Sequence, residues 1–157
     1  YSCTVNKYSK LDAFPLPNIS DLVQDAAKYK VFSVVDITQA YHQVPLVEDD
    51  MEKTAFEADG RLYHYKRLCF GVSNAVPKFQ RIMGRLFGEI PGIKIDDIVI
   101  GGMNVQDHNM NLEEFFKRCR TFNISLNKGK SSFGCTKLSG LGYQVEDNKI
   151  RPDPSRT

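Results

Sequence analysis

The stretch Ile93-Lys94-Ile95-Asp96-Asp97-Ile98-Val99-Ile100 constrains this chain more than any other. Two adjacent carboxylates sit between two short runs of β-branched residues, which favour strands. Asp suits a tight turn because its side chain hydrogen-bonds nearby backbone. The stretch therefore predicts a hairpin with the acid pair at its tip. Two like charges side by side repel, so a cation relieves the pair. Mg²⁺ suits it, since that ion binds through a few carboxylates together with substrate phosphates. The same residues also read as a surface turn that happens to hold two acids. A third carboxylate built to meet the pair would separate the two readings.

Asp36 is the candidate. Val31-Phe32-Ser33-Val34-Val35 reads as a buried strand ending in Asp36. A charge at the end of an apolar run needs a partner or an exposed edge. Asp36 can cap a short helix through Gln43, or project a carboxylate from the sheet edge toward Asp96 and Asp97. Both can hold at once.

The remaining segments predict a mixture of helices and hairpins. Phe14-Pro15-Leu16-Pro17 excludes a helix interior, and Asn18 or Ser20 can cap a helix running to about Lys28. Glu48, Asp49, Asp50, Glu52 and Lys53 read as a charged, solvated turn. Residues 54–57 and 61–65 flank Asp59-Gly60, a strong two-residue hairpin signal. A Gly- and Ser-bearing loop, 67–74, precedes a helix at 76–87, with Phe79, Ile82, Met83 and Leu86 on one side. Gly101-Gly102 is expected to break the strand after the acid pair.

The clearest helix spans 107–122. Leu112, Phe115, Phe116, Cys119 and Phe122 line its apolar face, and Glu113 and Glu114 pair forward with Lys117 and Arg118. Short strands follow at 124–126, 137–141, 142–145 and 149–151, with Asp147-Asn148 as the last turn. This order predicts an α+β fold, an antiparallel sheet with helices packed on one face, rather than a parallel βαβ series.

Composition narrows the functional classes. At 157 residues the chain is long enough for one domain with a real core. A net charge of +2 is too weak to argue nucleic-acid binding by itself. No apolar run approaches transmembrane length, and no signal-peptide pattern opens the chain. Cys3, Cys69, Cys119 and Cys135 are dispersed without a Cys-x-x-Cys, so reduced thiols in an intracellular protein that is not secreted are expected. His42, His64 and His108 lack metal-ligand spacing and read as packing or polar residues. The first residue, Tyr1, suggests a processed product or a fragment.

Several motifs then line up in order. Val34-Val35-Asp36-Ile37-Thr38-Gln39-Ala40-Tyr41-His42-Gln43-Val44-Pro45-Leu46 resembles the first catalytic motif of reverse transcriptases. Arg67-Leu68-Cys69-Phe70-Gly71-Val72-Ser73-Asn74-Ala75, followed by Phe79-Gln80-Arg81-Ile82-Met83, resembles their second. Asp96-Asp97 with its flanking apolar runs is similar to their catalytic hairpin, and 138–145, centred on Leu141-Gly142-Tyr143, to their primer-grip hairpin. The flavour is that of the Ty3/gypsy group of long-terminal-repeat retrotransposons. Phe14-Pro15-Leu16-Pro17, Thr54-Ala55-Phe56 and Ile150-Arg151-Pro152-Asp153-Pro154 fit it as well. Lys94 stands where that group carries an aromatic residue, Cys69 where a proline is usual, and the segment from Pro91-Gly92 to the acid pair is shorter.

The resemblance implies a polymerase palm with part of the fingers, spanning 1–157 and ending at the primer-grip hairpin before the thumb. It implies an RNA-directed DNA polymerase that extends a primer 3′-hydroxyl on an RNA or DNA template by two-metal nucleotidyl transfer. Asp36, Asp96 and Asp97 would be the catalytic carboxylates. With the Ile37 carbonyl they would hold two Mg²⁺ ions, for which Mn²⁺ can substitute. Tyr41, Phe70 and Gly71 would bind the deoxynucleotide, Tyr41 as a plate under its sugar. Leu141, Gly142 and Tyr143 would form the primer grip. The implied partners are template-primer, a deoxynucleoside triphosphate, and the remaining fingers, thumb, RNase H and integrase regions of a Pol polyprotein, with no membrane. The expected location is a cytoplasmic particle or the nucleus. The competing reading is a decayed or co-opted copy, a nucleic-acid-binding or scaffold protein without catalysis.

Overall fold

The computed structural model describes residues 5–12, 24, 26–94, 98–140, 143–146 and 149–152. They fall into two compact units, one drawn from Tyr1–Pro15 with Gln39–Ile82, the other from Leu16–Thr38 with Met83–Thr157.

The second unit is built on four antiparallel strands in the order β4-β5-β1-β6, where β1 is Val31–Ile37, β4 Ile93–Lys94, β5 Ile98–Gly102 and β6 Leu126–Cys135. β1 is central, and its apolar run is buried on both faces, as a central strand requires. The two arms of the hairpin expected at 93–100 pair, Ile93 with Ile100 and Lys94 with Val99. Ile95, Asp96 and Asp97 lie outside the described residues.

Gly101-Gly102 does not break the strand. Both pair with β1, Gly101 with Phe32 and Gly102 with Val31. Glycine is needed there because the Tyr29 ring covers Gly101 and the His108 backbone presses on Gly102, leaving no space for a Cβ. β1 also runs past Asp36 to Ile37, so Asp36 lies within the strand rather than at its end. It does not cap the following helix either. That 3-10 turn, Ala40–Gln43, is entered through Gln39 in the left-handed region at φ 45°.

β6 was not legible as one long strand. Its sequence is polar, and only tertiary pairing with β1 draws it into the sheet. It is an edge strand with register shifts and exposed Lys128 and Lys130, features that blunt an edge against further pairing.

A 17-residue helix covers β5 and β1. Labelling the helices in chain order gives α1 Val5–Tyr8, α2 Glu48–Met51, α3 Ala75–Phe87 and this one, α4, Val105–Thr121. Asn104 caps α4 by accepting from the Asp107 N–H at 2.9 Å. Its far end closes on Asn123, at φ 54°, with Ile124 N–H donating to the Cys119 carbonyl at 2.8 Å.

The buried stripe of α4 is His108, Asn111, Phe115 and Cys119. Phe122, expected on that stripe, is 52% exposed because it is the capping residue where the helix turns away. The polar pair is satisfied inside the unit. His108 Nε2 meets Ser33 Oγ at 2.9 Å, and Asn111 donates to the Gly101 carbonyl at 2.9 Å. His108 is thus a packing histidine, as its isolation in the sequence suggested. Glu114, not Glu113, carries the forward ion pairs. It meets Arg118 at 2.8 Å and Lys117 at 3.8 Å, and the Arg118 hydrogen bond holds its carboxyl below the usual range.

On the other face of the sheet, Phe32 and Val99 pack with Ala26, Val145 and Leu138. The last two come from a three-stranded antiparallel sheet of β7 Lys137–Gly140, β8 Tyr143–Glu146 and β9 Lys149–Pro152. The expected turn at Asp147-Asn148 lies outside the described residues, as does most of the helix expected before Lys28. Cys69, Cys119 and Cys135 are free thiols, and burial pushes the Cys119 thiol up to about 12. Cys3 lies outside the described residues. Among the described residues no helix is long and apolar enough to cross a membrane.

In the first unit, Asp59 at φ 52° and Gly60 at φ 71° join β2 Phe56–Ala58 to β3 Arg61–Tyr63, the tight hairpin read from the sequence. The charged segment expected as a turn instead winds into helix. α2 is followed by a 3-10 turn at Glu52–Thr54, because three acids in a first turn favour the helix dipole. α3 begins one residue earlier than expected. Pro77 sits in its first turn, where a missing N–H leaves no intrahelical bond unmade.

Candidate active site

Asp36 is half-buried in β1, paired across to Asn127 of β6. Its backbone N–H donates to Ser131 Oγ at 3.1 Å, and that hydroxyl donates to the Asn127 carbonyl at 2.7 Å. The irregular register of β6 brings Ser131 to this position. Ile37 pairs with Leu126, and Thr38 N–H reaches the Ser125 carbonyl at 3.0 Å. The backbone around Asp36 is therefore held by β6. On its other side, β1 pairs regularly with β5 as far as Val35 opposite Ile98.

Among the described residues, the Asp36 carboxylate has no ion-pair partner, and no three His, Cys, Asp or Glu side chains lie close enough to hold a metal ion. Asp96 and Asp97, which would complete such a group, lie outside the described residues. So do Leu141 and Gly142 of the expected primer grip. Tyr143 opens β8, its backbone paired with Gly140 and Pro152.

The expected nucleotide residues belong to the first unit. Tyr41 lies in the Ala40–Gln43 turn, with the Phe70 ring edge-on at 5.1 Å and the Phe79 ring at 5.3 Å. His42 meets Phe70 edge-on from the neighbouring position at 5.3 Å. Phe70 remains 62% exposed, so its ring is held by aromatic edges but open to a ligand. Gly71 takes φ 86°, a turn conformation that suits glycine. The structure thus brings together Tyr41, Phe70 and Gly71, the set that the resemblance groups.

Residues 2–145 match the family model for reverse transcriptase (RNA-dependent DNA polymerase). This chain belongs to the reverse transcriptase family. It is 33% identical over 97% of its length to the retrovirus-related Pol polyprotein from transposon 412 of Drosophila melanogaster. It is 30% identical, again over 97%, to that from transposon gypsy of the same fly. It spans 13% and 15% of those polyproteins respectively. In fold it is similar to a foamy viral protease-reverse transcriptase solved in complex with double-stranded DNA, with a TM-score of 0.88 at 24% identity, covering 96% of this chain and 27% of that one. The α+β expectation and the reverse transcriptase resemblance are both met, and this is a reverse transcriptase domain of the retrotransposon Pol type.

Asn6 and Asn74, which tie down the reverse transcriptase loop at 70–74, were not singled out from the sequence. Nothing local marks them, since their partners lie more than sixty residues away.

Proposed function

We propose that this chain is the palm and part of the fingers of an RNA-directed DNA polymerase, extending a primer 3′-hydroxyl with deoxynucleotides. On this reading Leu141, Gly142 and Tyr143 form the primer grip, and the chain works within a larger Pol polyprotein on a template-primer. The relative solved with double-stranded DNA supports a nucleic-acid duplex as its partner.

The observation that carries the proposal is the Val35–Ile98 pair. Asp36 is bonded to Val35, and Asp97 to Ile98. The rung therefore pairs the two residues that are adjacent in sequence to Asp36 and Asp97. Asp36, Asp96 and Asp97 carry hard-oxygen donors, the donor type that suits Mg²⁺.

Asp36, Asp96, Asp97 and the Ile37 carbonyl would hold the metal pair. Such a metal pair would supply charge neutralisation to the phosphoryl group being transferred. The chain's own work is then positioning. Ser131 and Asn127 fix the backbone that carries Asp36. Tyr41 places a ring under the incoming sugar, and Phe70 and Gly71 lie against the nucleotide and template base.

Mn²⁺ titration followed by paramagnetic line broadening tests the metal site. Broadening is expected first at Asp36, Ile37, Asp96 and Asp97, and is lost in Asp36→Asn. Lys94→Tyr should tighten binding, because a cation two residues from Asp96 competes with the metal. First broadening at the acidic segment Glu48–Glu52, unchanged by Asp36→Asn, would argue for the non-catalytic reading.

Tyr41→Ala tests the sugar plate. In this domain joined to the flanking polymerase segments of the transposon 412 relative, discrimination against ribonucleotides is expected to fall by about 10- to 200-fold, the range a single pocket contact supplies. Single-nucleotide incorporation kinetics with paired deoxy- and ribonucleotides measure it. Unchanged discrimination would leave Tyr41 as packing for Phe70 and Phe79.

A further inference from the structure

The loop at 67–74 is pinned at its ends by ordinary means. Arg67 bridges Pro45, and Leu68 N–H donates to the Val44 carbonyl at 2.9 Å. At the far end Ala75 N–H reaches the Val72 carbonyl at 3.0 Å, opening α3. Between these ends, one side chain from the start of the chain holds the loop. Asn6 Nδ2 donates to the Gly71 carbonyl at 2.7 Å, and Asn6 Oδ1 accepts from the Ser73 N–H at 2.9 Å.

The grip is returned. Asn74 Nδ2 donates to the Lys10 carbonyl at 2.8 Å, and Asn74 Oδ1 accepts from the Asp12 N–H at 3.0 Å. Each amide thus satisfies a carbonyl and an N–H two residues apart, much as a neighbouring strand would. Only an amide offers a donor and an acceptor side by side for this. Asp12 is anchored in turn by its ion pair with Arg81 of α3, at 2.6 Å.

This clasp orders a segment that has little else to hold it. α1 is a single turn with no buried residue, too short to persist alone. Its effect is felt at Gly71, whose left-handed conformation sets the chain direction after Phe70.

We propose that Asn6 and Asn74 are positioning residues that fix the Phe70–Gly71 loop for nucleotide binding; this rests on the nucleotide reading of that loop. The clasp is exposed to solvent, so water replaces a lost partner and global stability changes little. Local opening of the loop is what changes.

Amide hydrogen exchange and a titration with Mg²⁺ and dTTP, both followed by NMR on the whole chain, decide it. In Asn6→Ala the Ser73 amide should exchange about threefold to tenfold faster, the net worth of one hydrogen bond. Asn6→Asp keeps an acceptor for the Ser73 N–H but loses the donor to the Gly71 carbonyl, so it should speed Ser73 exchange less than Asn6→Ala and still raise the nucleotide midpoint. Asn74→Ala should release Asp12 in the same way and serves should Asn6→Ala fail to fold. Val35 and Ile100 amides should keep wild-type protection in every variant. The dTTP midpoint, read at Phe70 and Gly71, should rise by about threefold to tenfold, in step with the loosened loop. Unchanged Ser73 exchange in Asn6→Ala overturns the clasp. Faster exchange with an unchanged dTTP midpoint overturns its positioning role. Absence of any dTTP-dependent shift at Phe70 and Gly71 in the wild-type chain overturns the nucleotide reading instead, while the exchange data still decide whether the clasp exists.

Discussion

Replacing Phe115 by alanine is expected to destabilise the second unit by about 4 kcal/mol, a large part of the roughly 5–15 kcal/mol that holds a domain folded. The ring is fully buried at the middle of α4, and its centroid lies 4.8 Å from that of Phe87. Removing it leaves a cavity beneath the helix that covers β5 and β1. Helix propensity does not explain the loss, since alanine is the better helix former. Phe122→Ala is the control. That ring is 52% exposed, so its loss should change stability by no more than about 0.5 kcal/mol. Urea unfolding followed by circular dichroism measures both. Equal effects would mean that the α4 stripe is misassigned.

That contrast shows where the sequence was readable. Its period of apolar residues found α4, and Phe115 and Cys119 on its buried face. Period alone could not see that the stripe's first turns would be His108 and Asn111, because their burial depends on Ser33 and Gly101 from other elements. The Asp59-Gly60 hairpin was legible because turn chemistry is local. β6 was not, because a polar stretch becomes a strand only when β1 offers it an edge. Gly101-Gly102 misled for the same reason. Glycine reads as a breaker until the Tyr29 ring and the His108 backbone are seen to require it.

Within the candidate site, the sequence grouped Tyr41, Phe70 and Gly71 only through the reverse transcriptase resemblance, and the fold brings those rings and that turn together. It placed Asp36 at the end of a strand, whereas the strand runs on to Ile37. The serine that supports Asp36 sits in a register shift of β6, which no local pattern announces. Asn6 and Asn74 were hidden likewise, since a clasp between distant segments exists only after folding.

The largest functional effect is expected at Asp36. Asn has nearly the same shape, so Asp36→Asn should leave the pairing with Asn127 and the Ser131 hydrogen bond intact. What disappears is one negative charge from the proposed metal site. Catalysis of this kind rests on positioning and charge neutralisation, with little covalent work for the protein. The most direct measurement is the rate of deoxynucleotide incorporation on an RNA template with a DNA primer. It uses this domain joined to the flanking segments of the transposon 412 relative, with Asp36→Asn compared against wild type at equal urea stability. A loss of about a thousandfold is expected, the scale set by removing one charge-stabilising group. Incorporation by Asp36→Asn within tenfold of wild type, or none by the wild-type domain itself, would contradict the account.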